Sequence, residues 1–435
     1  MPTQTAYLGL GSNEGDRAGH IQQALQRLAA APGVQVVRTS SLRESTFVGQ
    51  GPPQPTFLNG VVELRTSLLP IALLDLCKAL EAAAGRTLPA PRHHPRPLDL
   101  DVLFVGHERV DTRDLVLPHP RWHLRQFVTE PLRELGVDVA TMPRALAAAV
   151  IESPAAFSAR TTQWLAGGCT IGLVPTMGSL HAGHGSLLTM ARQECDRVVA
   201  TIFVNPLQFG PNEDFAAYPR DLAADLQLCR EAGADAVFAP TVAQMYDPLF
   251  CSHVAVGNAA EGMEGAVRPG HFAGVATVVA RLFALARPQR AYFGEKDAQQ
   301  LAVIRRMTKD LGFPLQIVGC PIVREADGLA MSSRNVYLGA ADRQASTVLV
   351  RALRSARDAF ARGERDRDRL LARARSVLAT EPRARVEYVE LRAEGELAPL
   401  PSGPVLQGRM LVAAKFVDGV RPVRLLDNLS LVEGS

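Results

Sequence analysis

Residues 170–184 read TIGLVPTMGSLHAGH and set two imidazoles, His181 and His184, on either side of the bare Gly183. Such a group at the start of a helix suits phosphate. The helix terminus carries free N–H groups and partial positive charge, and the rings can donate hydrogen bonds to charge building on a phosphorus under attack. The glycine lets a ligand approach the backbone. A second pair is Asp99 and Asp101, in the run RPLDLDV at 96–102. On a strand, residues i and i+2 face the same way, so both carboxylates share a face. Two hard oxygen ligands side by side suit Mg²⁺ ions that also hold phosphates. Arg86, Arg92, Arg96, Arg121 and Arg125 lie close in sequence, with His93, His94, His119 and His123 among them. Guanidinium groups beside a carboxylate pair point to a polyphosphate site completed by metal. Three further clusters stand out. Asn205 and Gln208 in FVNPLQF offer uncharged amides for hydroxyl and carbonyl groups. Lys296 in GEKD supplies a cation for phosphate. Ser332, Ser333 and Arg334 in DGLAMSSRN offer two hydroxyls and a guanidinium, a mobile clamp for a leaving pyrophosphate. Each alone is ordinary turn chemistry; their joint placement at strand ends carries the weight.

The elements that must position these groups follow from hydrophobic pattern. Residues 170–174 read as a buried strand, Pro175 ends it, Gly178 turns the chain, and Leu187, Leu188 and Ala191 mark a helix. Strands at 196–204, 235–238, 290–293 and 315–318 then alternate with helices at 220–232, 271–286 and 298–311, which predicts an α/β Rossmann-like parallel sheet with helices on both faces. Ligands on such sheets bind beyond the carboxyl ends of the strands. From about 337 the pattern changes to helices at 340–362 and 366–379 and strands at 385–391, 410–416 and 423–426, a small α+β subdomain. The first half gives strands at 5–10, 34–40, 57–65 and 98–105 with helices at 17–31 and 70–84, the α+β order of a ferredoxin-like split unit. A helix-like run at 144–150 joins the halves, and Ser153 caps a helix opening at Pro154. The expected domains are 1–148, 149–336 and 337–435.

A length of 435 residues fits two or three domains, and a formal charge of +3 argues against a nucleic-acid or anionic-membrane partner. Neither a secretory leader nor a membrane span is expected. The six cysteines are scattered without a C-x-x-C, which suggests buried thiols in a reducing cytoplasm.

The first half resembles the 6-hydroxymethyl-7,8-dihydropterin pyrophosphokinase family of folate synthesis. The resemblance rests on Gly11-Ser12-Asn13, Phe57-Leu58-Asn59, Gly85-Arg86, the run 96–101, Pro118-His119-Pro120, Arg125 and Phe127. It implies that Asp99 and Asp101 bind Mg²⁺ bridging ATP and the pterin hydroxymethyl, and that Phe57 and Phe127 sandwich the pterin with Asn59 on its polar edge. Arg86, Arg92, Arg96, His119 and Arg125 would hold the triphosphate. Two positions depart from the family pattern: His93-His94 where a Trp usually lies, and Arg43 where Tyr is usual. They leave open a reading in which this half is a binding or dimer-supporting module. The second half, from about 154 to 431, is similar to the pantothenate synthetase (pantoate–β-alanine ligase) family. The matching runs are 174–184, 203–209, 218–220, 268–272, 293–301 and 324–335. By that resemblance Met177, Gly178, Ser179, Leu180 and Gly183 bind ATP, and His181 and His184 stabilise the transition state at the α-phosphorus. Lys296, Ser332, Ser333 and Arg334 hold the other phosphates, and Gly294, Glu295, Asp297, Val323 and Met331 contact the nucleotide. Gln208 and Gln300 bind pantoate, with Asn205, Arg268 and His271 completing the pantoate and β-alanine site. Asp225 matches an acid near the metal in some members, beside Ala224. Together the halves imply a bifunctional, cytoplasmic, Mg²⁺-dependent enzyme that uses ATP as co-substrate and forms a homodimer through its second half.

Overall fold

The computed structural model describes residues 3–46, 54–86, 95–112, 114–120, 122–139, 141–142, 149–211, 213, 215–216, 218–417 and 422–432. The chain divides into two compact units, Met1–Ala147 and Ala148–Ser435.

In the first unit β1 (Gln4–Ser12), α1 (Arg17–Ala30), β2 (Val34–Thr39), β3 (Arg43–Ser45), β4 (Phe57–Thr66), α2 (Pro70–Ala83) and β5 (Asp99–Val105) follow in order. The small pair β6 (Val110–Asp111) and β7 (Val116–Leu117) and then α3 (Gln126–Glu134) complete it. The Asp16 side chain caps α1 by accepting the Gly19 N–H, and Pro70 opens α2. The sheet runs β2-β4-β1-β5, antiparallel throughout, with β3 beside β4. Leu100 and Val102 of β5 pack with Ile21, Leu28, Leu73 and Cys77 of the helices. By strand alternation Asp99 and Asp101 therefore point away from that core, opposite Gly11 and Gly9 of β1.

The second unit opens with β8 (Ala149–Ile151), α4 (Pro154–Ala166), β9 (Ile171–Thr176), α5 (Ala182–Glu194), β10 (Arg197–Ile202), α6 (Leu222–Glu231) and β11 (Ala236–Phe238). After the short α7 (Val242–Met245) and α8 (Met263–Val267) come α9 (His271–Ala286), β12 (Arg290–Gly294), α10 (Ala298–Asp310) and β13 (Gln316–Cys320). The sheet is parallel, in the order β13-β12-β9-β10-β11-β8. Connections leave β9 one way and β12 the other, so the topological switch lies between those two strands. Helices cover both faces: α4, α9 and α10 bury Phe157, Val275, Phe283 and Ile304 on one, and α5 buries Leu187, Leu188 and Ala191 on the other. Beyond lie α11 (Ala340–Ala345), α12 (Val348–Ala361), α13 (Arg367–Leu378) and an antiparallel sheet of β14 (Ala384–Arg392), β15 (Arg409–Phe416) and β16 (Val423–Ser430). Among the described residues, no helix is long and apolar enough to cross a membrane.

Three expectations are corrected. Ala149 and Val150 belong to a strand, not to a helix running from 144, because pairing of Ala149, Val150 and Ile151 with β11 outweighs the helical preference of an alanine run; residues 143–148 lie outside the described set. The single helix expected over 340–362 is two. Between them Ser346 and Thr347 turn their hydroxyls back onto the carbonyls of Arg343 and Gln344, in competition with the helical ladder. The last strand is longer than 423–426 and brings Asp427 and Asn428 into the sheet.

Candidate active sites

Beyond the carboxyl end of β9 the chain turns through Gly178 and Ser179, both left-handed at φ 85° and 52°. Glycine takes that conformation freely; serine is strained in it and must be held. Asp225 of α6 holds it: the buried carboxylate accepts the N–H groups of Ser179 at 2.9 Å and Leu180 at 2.6 Å. Burial pushes the Asp225 carboxyl up. Both its oxygens are thus spent on the turn, which makes it a brace for the loop.

The next residue, His181, caps α5. Its Nδ1 accepts the Gly183 N–H at 3.1 Å, and Nδ1 of His184 accepts the N–H of His181 at 3.3 Å. A ring nitrogen that accepts carries no proton, so each neutral ring keeps its hydrogen on Nε2. Burial holds both rings uncharged at neutral pH, reinforced by Lys296 for His181 and by His181 for His184, whose pKa falls to about 3. The result is a pair of neutral N–H donors with ring centres 4.2 Å apart. A Cβ at Gly183 would lie 2.8 Å from Cε1 of His181, so the cap requires glycine.

Across the switch, β12 ends at Gly294 in a 3-10 turn, Glu295–Asp297, that carries Lys296. The ammonium lies 3.5 Å from Asp297. Burial opposes the Asp297 charge, but Lys296 and Arg334 hold its carboxyl below the usual range. The loop after β13 returns to the same place. Met331 donates its N–H to the Val323 carbonyl at 3.0 Å, and Ser332 accepts the Arg334 N–H at 3.3 Å to cap a second 3-10 turn. Ser333 lies 3.5 Å from the Tyr218 hydroxyl.

The amides form a linked chain. Gln208 donates to the Met177 sulfur at 3.0 Å and accepts from Asn205 at 3.1 Å. Asn205 also donates to the Gly274 carbonyl and accepts from Tyr246 and the Leu207 N–H. Its polar atoms are all engaged within the protein, so its work is to orient Gln208. His271 bonds the Gln208 carbonyl at 2.9 Å and accepts from Arg268 at 3.1 Å; burial and that guanidinium bring its pKa down to about 4. Arg268 is itself bidentate to Glu213, a residue the sequence did not single out. A cavity of about 720 Å³ opens beside these groups, lined by Lys296, Gln300, Ser332 and Arg334 and, from the antiparallel sheet, by Tyr388 and Arg424. His181, His184 and Gln208 are not among the residues that line it.

In the first unit the two carboxylates are each held by an arginine. Arg86 bonds Asp99 at 2.8 Å and also Glu81 of α2, a fully buried acid that accepts the Leu100 N–H between the two aspartates. Arg96 lies 3.4 Å from Asp99 and over the Phe57 ring. Arg125 bonds Asp101 at 2.8 Å and lies over the Phe127 ring, and His119 stands 3.9 Å from the same carboxylate. Burial works against ionisation of Asp101, but His119 and Arg125 hold it well below the usual carboxylate range. Asn59 is buried and donates to Ser45 at 2.7 Å. Asn13 fixes the Arg96 backbone by exchanging hydrogen bonds with it. Arg92, His93, His94 and Arg121 lie outside the described residues. Among the described residues no three His, Cys, Asp or Glu side chains gather to hold a metal. Mg²⁺ needs fewer: it is held by one or two carboxylates together with substrate phosphates, and Asp99 and Asp101 on one strand face fit that demand.

Glu213 and Glu81 carried no signal in the sequence; Asp225 was marked only by resemblance, as an acid near the metal, and its bond to the Ser179 N–H 46 residues away was not legible there. Asn13 could have been found, since it adjoins a quoted motif.

Comparison with known proteins agrees with both halves. Residues 149–430 match the family model "Pantoate-beta-alanine ligase", and residues 7–137 match "7,8-dihydro-6-hydroxymethylpterin-pyrophosphokinase". A pantothenate synthetase of Roseiflexus sp. (strain RS-1) is 55% identical over 60% of this chain and 92% of its own. That of Heliobacterium modesticaldum is 52% identical over 64% and 98%. The crystal structure of pantothenate synthetase from Thermus thermophilus superposes with a TM-score of 0.61 at 48% identity, covering 65% of this chain and 99% of that one. A pantoate–β-alanine ligase from Francisella tularensis, complexed with beta-gamma ATP and beta-alanine, gives 0.53 at 31%, covering 66% and 98%.

Proposed function

Because the chain belongs to the pantoate–β-alanine ligase family, we infer that its second unit makes pantothenate through a pantoyl adenylate. The observation that carries this reading is the pair of neutral imidazoles at the N-terminus of α5, beside Lys296 at the sheet's switch point. A pantoate carboxylate oxygen attacks the α-phosphorus of ATP, the bond to the β-phosphate breaks, and pyrophosphate leaves. The Nε2–H groups of His181 and His184 stabilise charge on the α-phosphate, and Lys296, Ser332, Ser333 and Arg334 take the departing phosphates. Gln208 and Gln300 orient pantoate by neutral hydrogen bonds. The amine of β-alanine then attacks the acyl carbon and AMP leaves. Pyrophosphate release that requires pantoate and ATP tests the first step; release without pantoate would overturn it.

The first unit, on this proposal, transfers pyrophosphate from ATP to the hydroxyl of 6-hydroxymethyl-7,8-dihydropterin, releasing AMP. Its interleaved antiparallel strand order supports the ferredoxin-like reading. Asp99 and Asp101 would hold Mg²⁺, which when bound offsets phosphate charge. Arg86, Arg96, Arg125 and His119 would grip the triphosphate, with Arg92 from the loop, and Phe57, Asn59 and Phe127 would hold the pterin. One observation favours the alternative of a structural module: each aspartate is already paired with an arginine. AMP release dependent on the pterin, lost in Asp99→Ala, decides between them. We also propose a cytoplasmic homodimer formed through the second unit; six scattered cysteines without a C-x-x-C support a reducing compartment.

A further inference from the structure

The two phosphate-gripping loops of the second unit are separate in sequence, and neither is held by its own strand alone. Both are tied to one dipeptide, Asp427-Asn428, on β16. Nδ2 of Asn428 donates to the carbonyls of Glu295 at 2.9 Å and Lys296 at 2.8 Å. Its Oδ1 accepts from Arg409 at 2.7 Å. A guanidinium only donates and carbonyls only accept, so the amide has one possible orientation. Asp427 forms a two-pronged bond with Arg324, at 2.7 and 2.9 Å, and Arg324 in turn donates to the Gly328 carbonyl in the loop that leads to Ser332. Asn428 is buried, 1% exposed, so water does not replace these bonds.

We propose that Asn428 is a positioning residue for adenylation: it fixes the Glu295–Asp297 turn so that Lys296 meets the phosphates, and couples the antiparallel sheet to the chemistry. The inference rests on the ligase reading above. It gives the sheet a part in the reaction beyond closing one side of the cavity. Lys296 sits on a single 3-10 turn between β12 and α10, and the Asn428 amide bonds two successive carbonyls of that turn, those of Glu295 and Lys296.

The test is a double-mutant cycle on the full chain, reading pantoate-dependent pyrophosphate release. Asn428→Asp keeps the shape and the Arg409 contact but sets an oxygen against two carbonyls. The expected loss in kcat is about 10²-fold, the scale of a catalytic group displaced by 1 Å. In a Lys296→Ala background the same substitution should add less than about threefold, because its effect passes through Lys296. A full-sized further loss in that background, or a wild-type kcat in the single variant, would overturn the proposal. Asn428→Ala carries the same cycle if the aspartate variant does not fold. Wild-type protein without pantoate-dependent release would sink the ligase reading and this inference together; an active wild type with additive variants sinks this inference alone.

Discussion

Asp225→Ala removes a buried carboxylate that accepts two N–H groups, at 2.9 and 2.6 Å, from the turn feeding His181. A hydrogen bond to a charged group contributes about 1.5–3 kcal/mol, so the pair contributes roughly 3–6 kcal/mol. The strain opposing it, a left-handed Ser179, is about 1–2 kcal/mol. Without the brace the balance reverses, Ser179 relaxes, and the start of α5 moves with it. A displacement of about 1 Å costs roughly 10²-fold in rate. The assay is pantoate-dependent pyrophosphate release across a Mg²⁺ titration. The expected result is a kcat lowered about 10²-fold at saturating Mg²⁺ with the Mg²⁺ midpoint unchanged. Asp225→Asn, which keeps one acceptor oxygen, should fall between. An unchanged kcat with a shifted midpoint would refute the brace and make Asp225 a metal ligand.

Gly183→Ala pushes a methyl to within 2.8 Å of the His181 ring, which must swing off its cap; adenylation should fall while the pterin reaction is unaffected, and equal loss of both would contradict the local reading. Lys296→Ala should lower kcat for adenylation by about 10²–10³-fold, as removal of a transition-state charge partner does; a change confined to KM would argue for ground-state binding only. Stability should fall in mild acid. His184 and His271 are held at about 3 and about 4 against an ordinary 6.5, so below pH 6.5 the unfolded chain takes up protons that the folded chain refuses. Each contributes a loss of about 1.4 kcal/mol per pH unit until its folded pKa is reached. Thermal melts from pH 8 to 4.5 check this, and a flat profile from 7 to 5 would contradict it.

What was legible in the sequence was local. Ser153-Pro154 read as a helix start because cap and first residue are neighbours, and the Ser153 hydroxyl does accept the Ala156 N–H. His181, Gly183 and His184 read as the start of a helix because motif, strand and helix are contiguous, and His181 does cap α5. What the sequence hid is long-range. Asp225 lies 46 residues from Ser179 and Asn428 132 from Lys296, and nothing in spacing or period marks such pairs. Arg268 illustrates the same limit: resemblance placed it at the pantoate and β-alanine site, yet Glu213, 55 residues earlier, already engages its Nε–Nη2 edge with both carboxylate oxygens. Alanine-rich 144–150 misled for a physical reason, since propensity is weaker than a strand partner that the sequence does not display beside it.

The central claim is that one chain holds two separate ATP-using centres. Assaying both reactions on the same preparation of wild type, His184→Ala and Asp99→Ala tests it most directly. The account predicts that His184→Ala loses pantothenate formation and keeps AMP release with hydroxymethyldihydropterin, and that Asp99→Ala does the reverse. Wild-type protein without pterin-dependent AMP release, or either substitution abolishing both reactions, would contradict it.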